Sequence, residues 1–108
     1  MNDMNDREQA FEKKYALDQE VMFKIEARAC KLFGLWVASE IGLAGDAAKN
    51  LAAAAVSANL DEPGFEDVKR ALRPIIADNG KEISNHIMDA KLAHFMEEAK
   101  TQILSEQK

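Results

Sequence analysis

The sequence predicts an all-α protein, a four-helix bundle preceded by a flexible N-terminal arm. The chain of 108 residues has only two prolines and five glycines, and its many Ala, Leu, Glu and Lys residues are typical of helices. Apolar side chains recur at helical spacing in four segments, which Gly, Pro, Asp and Ser residues separate. The length suits one folded domain, which we place at residues 21–108, with the arm at residues 1–20.

The first helix of the bundle is predicted to end near Ile41. Gly42 suits the left-handed conformation that often closes a helix, and Leu43 supplies the apolar contact that accompanies such an end. Inside this helix, Gly34 costs about 1 kcal/mol relative to Ala. We interpret it as a point of close packing against the second helix, where alanine occupies positions 47, 48 and 52–55.

The remaining helices are delimited by similar signals. The second is predicted to start with Asp46 as its N-cap and to end at residues 59–60, before the break at residues 61–64. In the third, Pro74 is expected to introduce a kink or to end the regular part, and Asn79-Gly80 closes the helix.

The fourth helix is predicted to begin with Ser84 as its N-cap. Ile83 and Met88 stand at the positions of a hydrophobic staple, and residues 106–108 are expected to fray. The predicted inward face of this helix consists of Met88, Leu92, Phe95, Ala99 and Ile103.

Composition and charge exclude several classes of protein. The net charge of −5 and the pI of about 5.0 argue against a nucleic-acid binder, whose affinity comes largely from neutralised phosphates. No apolar run approaches the ~20 residues that span a bilayer, and the polar N-terminus lacks a signal-peptide pattern. The single cysteine suits a reducing compartment, so we expect a cytoplasmic protein that does not insert into a membrane.

Candidate catalytic and metal-binding residues are few. His86 and His94 lie about two turns apart on one predicted helix, at ~1.5 Å per residue, so they cannot share a metal ion. We interpret them as surface or boundary histidines, and His94 can pair with Glu97 or Glu98. We interpret Cys30 as a small buried thiol, because no histidine stands near it in sequence to activate it. The sequence therefore predicts no enzyme, no metal site and no cofactor.

Trp36 leaves an alternative function open. In a bundle of this size, a tryptophan is most often part of the core, with its indole N–H near the surface. A crevice beside Trp36, rimmed by Lys or Arg side chains, would instead suit a small ligand such as a nucleotide. A nucleotide-binding helical bundle with a regulatory role is therefore the second hypothesis for this chain.

The N-terminal arm differs in composition from the helix that follows it. Residues 1–20 contain six acidic, three basic and only two aromatic residues, too little apolar surface to fold alone. The charged run at residues 7–14 would suit a solvated helix face, but Phe11 and Tyr15, one turn apart, need a surface to cover. We therefore expect an arm that folds when it meets a partner, attached to a monomeric bundle.

Four segments of the sequence also carry a family resemblance. They are Asp6 to Ala16, Phe23 to Arg28, Phe33 to Trp36, and Leu60 to Val68. Together, in this order, they resemble the zeta inhibitor subunit of the alphaproteobacterial rotary ATP synthase over nearly the whole chain. The sequence departs from the pattern that we expect in relatives in two places: Leu17 replaces a histidine, and Ala29-Cys30 replace more polar residues.

The resemblance implies a four-helix bundle that binds the catalytic head of the ATP synthase and suppresses ATP hydrolysis. It implies that the arm enters a catalytic interface between an alpha and a beta subunit and reaches towards the gamma subunit of the central stalk. The protein would then be cytoplasmic and associated with the membrane-bound synthase. Carried over residue by residue, the partner-binding residues are Asp6, Arg7, Glu8, Phe11, Lys14 and Tyr15.

Overall fold

The computed structural model describes residues 19–61 and 64–106, which form four α-helices and no strand. We number the helices α1 (Gln19–Glu40), α2 (Gly45–Asp61), α3 (Phe65–Asp78) and α4 (Asn85–Glu106). Short loops join them, so helices that follow one another pack antiparallel, and α1 also packs against α4. The predicted all-α four-helix bundle is confirmed.

Glycines close α1 and α3, as predicted. After α1, Gly42 adopts a φ of +82°, and the amide of Leu43 donates a hydrogen bond to the carbonyl of Ala38 at 2.8 Å. After α3, Gly80 has a φ of +70°, and the amide of Lys81 donates a hydrogen bond to the carbonyl of Ile76 at 3.2 Å. Both ends are Schellman motifs, which satisfy carbonyls that would otherwise lack a donor.

The start of α4 also follows the prediction. The hydroxyl oxygen of Ser84 accepts a hydrogen bond from the amide of Ile87 at 3.1 Å, as an N-cap residue does. Ile83 packs against the core that contains Met88, as a hydrophobic staple requires. Most of the predicted inward face of α4 is buried, and Phe95 is half-buried against the core.

Two predicted helix boundaries differ from the structure, those at Asp46 and Glu106. Because α2 begins at Gly45, Asp46 lies in the first turn, where its charge favours the helix dipole, and is not the N-cap. Pro74 lies inside α3 and one turn follows it, so of the two expected outcomes it does not end the helix. Glu106 was expected to fray, but it is the last residue of α4 and forms an ion pair with Arg28.

The main hydrophobic core contains side chains from all four helices. Phe33 lies within it and is 0% exposed. The buried members are Cys30, Phe33, Val37, Ala38, Ile41, Leu51, Ala55, Val68, Leu72, Ile76, Met88 and Leu92. This core fixes α2 and α3 against the C-terminal half of α1 and the N-terminal half of α4.

The predicted close approach at Gly34 is confirmed. A Cβ atom built on Gly34 would lie 2.7 Å from the Cα atom of Ala52 and 3.3 Å from the Cβ atom of Ala55. The first distance is far below a van der Waals contact, and the neighbour is backbone that cannot rotate away. Glycine in α1 and alanine in α2 therefore let the two helices pack closely.

Replacing Gly34 with Ala should destabilise the bundle. Alanine favours a helix by about 1 kcal/mol over glycine, but overpacking that forces two backbones apart costs about 1–3 kcal/mol. We therefore expect a lower urea midpoint for unfolding, followed by circular dichroism. An unchanged or higher midpoint would contradict the close packing of α1 on α2.

A buried lysine joins α3 to α4. The ammonium group of Lys69, a residue only 1% exposed, lies 2.6 Å from a carboxylate oxygen of Asp89 and 2.9 Å from one of Glu66. Hydrogen bonds to Asp89 and Glu66 raise the pKa of Lys69 above its ordinary 10.5, although burial acts in the opposite direction. The ion pairs therefore stabilise the fold fully below about pH 10.5, the ordinary pKa of lysine. Their contribution is lost as the pH rises through the raised pKa of Lys69.

Candidate functional site

The partner-binding residues predicted from the sequence all stand in the arm. Asp6, Arg7, Glu8, Phe11, Lys14 and Tyr15 lie outside the described residues, so their roles stay predictions. What the structure does describe is the helix to which the arm is joined and the surfaces beside that junction.

The N-terminal half of α1 is held by a second, smaller hydrophobic cluster. Its buried members come from α1 and α4 only: Val21, Ile25, Ala29, Ala99 and Ile103. Val21 is the first buried residue of α1, and it shares this cluster with the last two turns of α4. The helix that follows the arm is therefore fixed to the bundle almost from its first turn.

An arginine strengthens this end of the bundle. The guanidinium group of Arg28 donates hydrogen bonds to both carboxylate oxygens of Glu106, at 3.0 and 3.1 Å, and to the side-chain oxygen of Gln102 at 2.7 Å. The bidentate geometry favours the ionised carboxyl group, and the hydrogen bonds from Arg28 lower the pKa of Glu106.

The histidines lie on the surface, as predicted. His86 and His94 are exposed on α4, and the Nε2 atom of His94 lies 3.4 Å from a carboxylate oxygen of Glu98. Within residues 19–61 and 64–106, no three His, Cys, Asp or Glu side chains come together in a way that could hold a metal ion. None of the four described helices combines the length and the apolar character needed to cross a bilayer.

Cys30 is buried in the main core, as predicted. Burial, together with the nearby negative charge of Glu26, raises the pKa of the Cys30 thiol from 9.0 to about 12. Because the thiolate is the nucleophilic form, this cysteine is poorly suited to covalent catalysis.

At pH 8, the native protein should react with a thiol-exchange reagent such as DTNB about a thousandfold more slowly than the unfolded chain. The rise in the pKa of Cys30 to about 12 lowers the thiolate fraction by roughly that factor, and burial hinders access further. The measurement compares the absorbance of released thiolate in buffer and in guanidinium chloride. Equally fast labelling in both would show that Cys30 is accessible.

Trp36 lies at the boundary of the core. Its indole ring is half-buried, its centroid lies 5.9 Å from that of Phe33, and the ammonium group of Lys91 lies 5.4 Å from the centroid of the indole. The last contact is a cation–π interaction. A binding crevice beside Trp36 was the alternative hypothesis, but Trp36 does not line the apolar groove that the described helices form between α1 and α2.

That groove runs between α1 and α2 and has a volume of about 670 Å³. We call it the α1–α2 groove. It is lined by Lys31, Leu35, Lys49, Ala52, Ala53, Val56, Ser57 and Leu60. The sequence did not predict this groove, because it depends on how α1 and α2 pack against each other.

Comparison with known proteins places the chain in one family. The model of the family described as ATPase inhibitor subunit zeta matches residues 1–102. No curated protein and no solved structure matches the chain significantly. The matched region includes the arm and nearly all of the four helices.

Proposed function

Because the chain belongs to the family of ATPase inhibitor zeta subunits, we propose that it inhibits ATP hydrolysis by the catalytic head of the ATP synthase. The observation that carries this proposal is the family match over residues 1–102, which spans both the arm and the bundle. The protein acts by binding and has no catalytic role of its own.

In this proposal, residues 1–20 are the inhibitory part. An isolated helix shorter than ~12–15 residues is marginal in water, because the first turn is costly to form. The arm precedes a helix that already begins at Gln19 and is fixed at Val21. It can therefore extend α1 residue by residue when a cleft of the enzyme supplies apolar contacts.

The aromatic residues of the arm provide most of the binding energy. Phe11 and Tyr15 are the two aromatic side chains of a mostly polar segment, and buried aromatic residues dominate interfaces of this kind. The charged residues set register and encounter rate more than affinity. These are Asp6, Arg7, Glu8 and Lys14.

The bundle holds the arm in position. α1 packs against α4 from Val21 onward, so an arm that extends α1 starts from a fixed helix end. Such an arm can enter an interface between an alpha and a beta subunit and reach the gamma subunit, while the bundle stays outside. The free protein is a cytoplasmic monomer and joins the membrane-bound synthase only through the catalytic head.

The test is inhibition of ATP hydrolysis by the isolated catalytic head. The intact chain is added in increasing amounts, and phosphate release is followed until the effect is complete. We expect a saturable loss of hydrolysis, whereas an unrelated ATPase in the same assay keeps its activity. Full hydrolysis at a large molar excess of the intact chain would contradict the proposal.

A further inference from the structure

The α1–α2 groove continues into a second hollow on the same side of the bundle. This hollow has a volume of about 540 Å³ and shares Lys31 and Val56 with the groove. It extends the apolar surface to Phe23 near the start of α1. From Phe23 to Leu35 the surface is about 18 Å long, at 1.5 Å per helical residue, enough for about three turns of a further helix.

The groove arises from the pattern of side-chain sizes. Ala52 and Ala53 line its floor, and the close approach at Gly34 brings the two helices together beneath it. Phe23 and Leu60 stand at the edges of this surface, and each is 52% exposed. An exposed apolar surface between two helices is the kind of site into which the apolar face of an amphipathic helix packs.

The charges around the groove are positive. Lys31 and Lys49 line the α1–α2 groove, although the whole chain has a net charge of −5. Lys24 lines the second hollow and lies 3.9 Å from a carboxylate oxygen of Glu20. No carboxylate of the described residues lies within ion-pair distance of Lys31 or Lys49. The acidic group in the lining is Glu106, which is bound to Arg28. The complementary partner is therefore a helix with acidic side chains beside its apolar face.

The groove also lies close to the arm. Phe23 stands one turn after the first residue of α1, so a partner that holds the arm is brought directly to this surface. Linking two contacts in one chain makes the second contact intramolecular and raises the overall affinity.

We propose that the α1–α2 groove binds an acidic amphipathic helix on the outer surface of the catalytic head, as a second contact of the inhibitor. This inference rests on the proposed function, which supplies the partner. It assigns the bundle a binding surface of its own, separate from the residues of the arm.

The test compares two groove variants of the full chain with the intact chain in binding to the isolated catalytic head. Phe23→Asp combined with Leu60→Asp should weaken binding at least tenfold, because charges replace exposed apolar contacts. Lys31→Glu combined with Lys49→Glu should slow association at low salt by at least threefold, with little difference at high salt. Thermal melts establish that both variants remain folded.

Ile87→Asp is the matched control, because Ile87 is 46% exposed on α4 and does not line the groove. It should bind like the intact chain. If both groove variants also bind like the intact chain, the groove inference is wrong, while the inhibitory role of the arm is unaffected. If the groove variants bind more weakly but a variant with Phe11 and Tyr15 replaced by Ala binds like the intact chain, the groove inference stands and the arm mechanism fails.

A photoreactive side chain identifies what occupies the groove. With benzoylphenylalanine in place of Ala53, which is exposed, we expect a cross-link to an acidic helix of an alpha or beta subunit. A cross-link to a second copy of this chain, or to residues 1–18 of the same chain, would overturn the proposal. The absence of any cross-link in a saturated complex would overturn it as well.

Discussion

Replacing Phe11 and Tyr15 together with Ala should weaken binding to the catalytic head roughly a thousandfold. Each side chain contributes on the order of 2 kcal/mol if it is an interface anchor, and about 4 kcal/mol corresponds to that factor. Both residues stand before Val21, the first buried residue of α1, so the helicity and melting temperature of the bundle should not change. Titration of the head with each protein, followed by loss of ATP hydrolysis, measures the effect.

Single changes of the charged residues serve as the comparison. Arg7→Ala or Lys14→Ala should reduce affinity much less than the double aromatic change and should act mainly on the association rate and its salt dependence. If either charge variant lost as much affinity as the double variant at high salt, electrostatic contacts would outweigh the aromatic anchors, contrary to the proposal.

Replacing Phe33 with Ala should cost about 3–5 kcal/mol of stability, because truncating a buried phenylalanine removes apolar contacts and leaves a cavity. Phe33 is 0% exposed and belongs to the core cluster that joins all four helices. The total free energy of unfolding of a small domain is about 5–15 kcal/mol, so the variant should unfold at a much lower urea concentration. Chemical unfolding followed by circular dichroism provides the measurement.

Trp36→Ala provides the contrast within the same helix. The sequence favoured Trp36 as a core residue, but its indole is only half-buried. Folding therefore removes a smaller fraction of its apolar surface from water than for Phe33, and we expect Trp36→Ala to lower the free energy of unfolding by about 1–2 kcal/mol. A larger loss for Trp36→Ala than for Phe33→Ala would mean that the core is centred differently from the structure described above.

The sequence was most informative where local chemistry decides the structure. Gly42, Gly80 and Ser84 act on neighbouring backbone groups. The ends of α1 and α3 and the start of α4 could therefore be predicted from a few adjacent residues. Gly34 could be interpreted correctly because a glycine inside a helix is unfavourable unless a neighbour needs the space.

Contacts between distant parts of the chain could not be predicted. Lys69 and Asp89 stand on different helices, and so do Arg28 and Glu106, so nothing in the local pattern pairs them. For this reason Glu106 was expected to fray, whereas it is the last helical residue of α4 and forms an ion pair with Arg28.

The same distinction between local pattern and long-range packing applies to the candidate site. The arm was identified from its composition and from the family resemblance, and the family is confirmed over residues 1–102. The α1–α2 groove depends on the relative placement of two helices, which no periodicity in one helix specifies. Phe23 is an exposed aromatic residue of α1, and only the fold places it near Val56.

Deleting residues 1–16 tests the central claim most directly. The shortened chain and the intact chain are compared for inhibition of ATP hydrolysis by the isolated catalytic head, with circular dichroism and thermal melts as the control for folding. The proposed mechanism predicts a folded bundle, with a melting temperature like that of the intact chain, that no longer inhibits. A shortened chain that inhibits as strongly as the intact protein would contradict the arm mechanism, even though the family membership would stand.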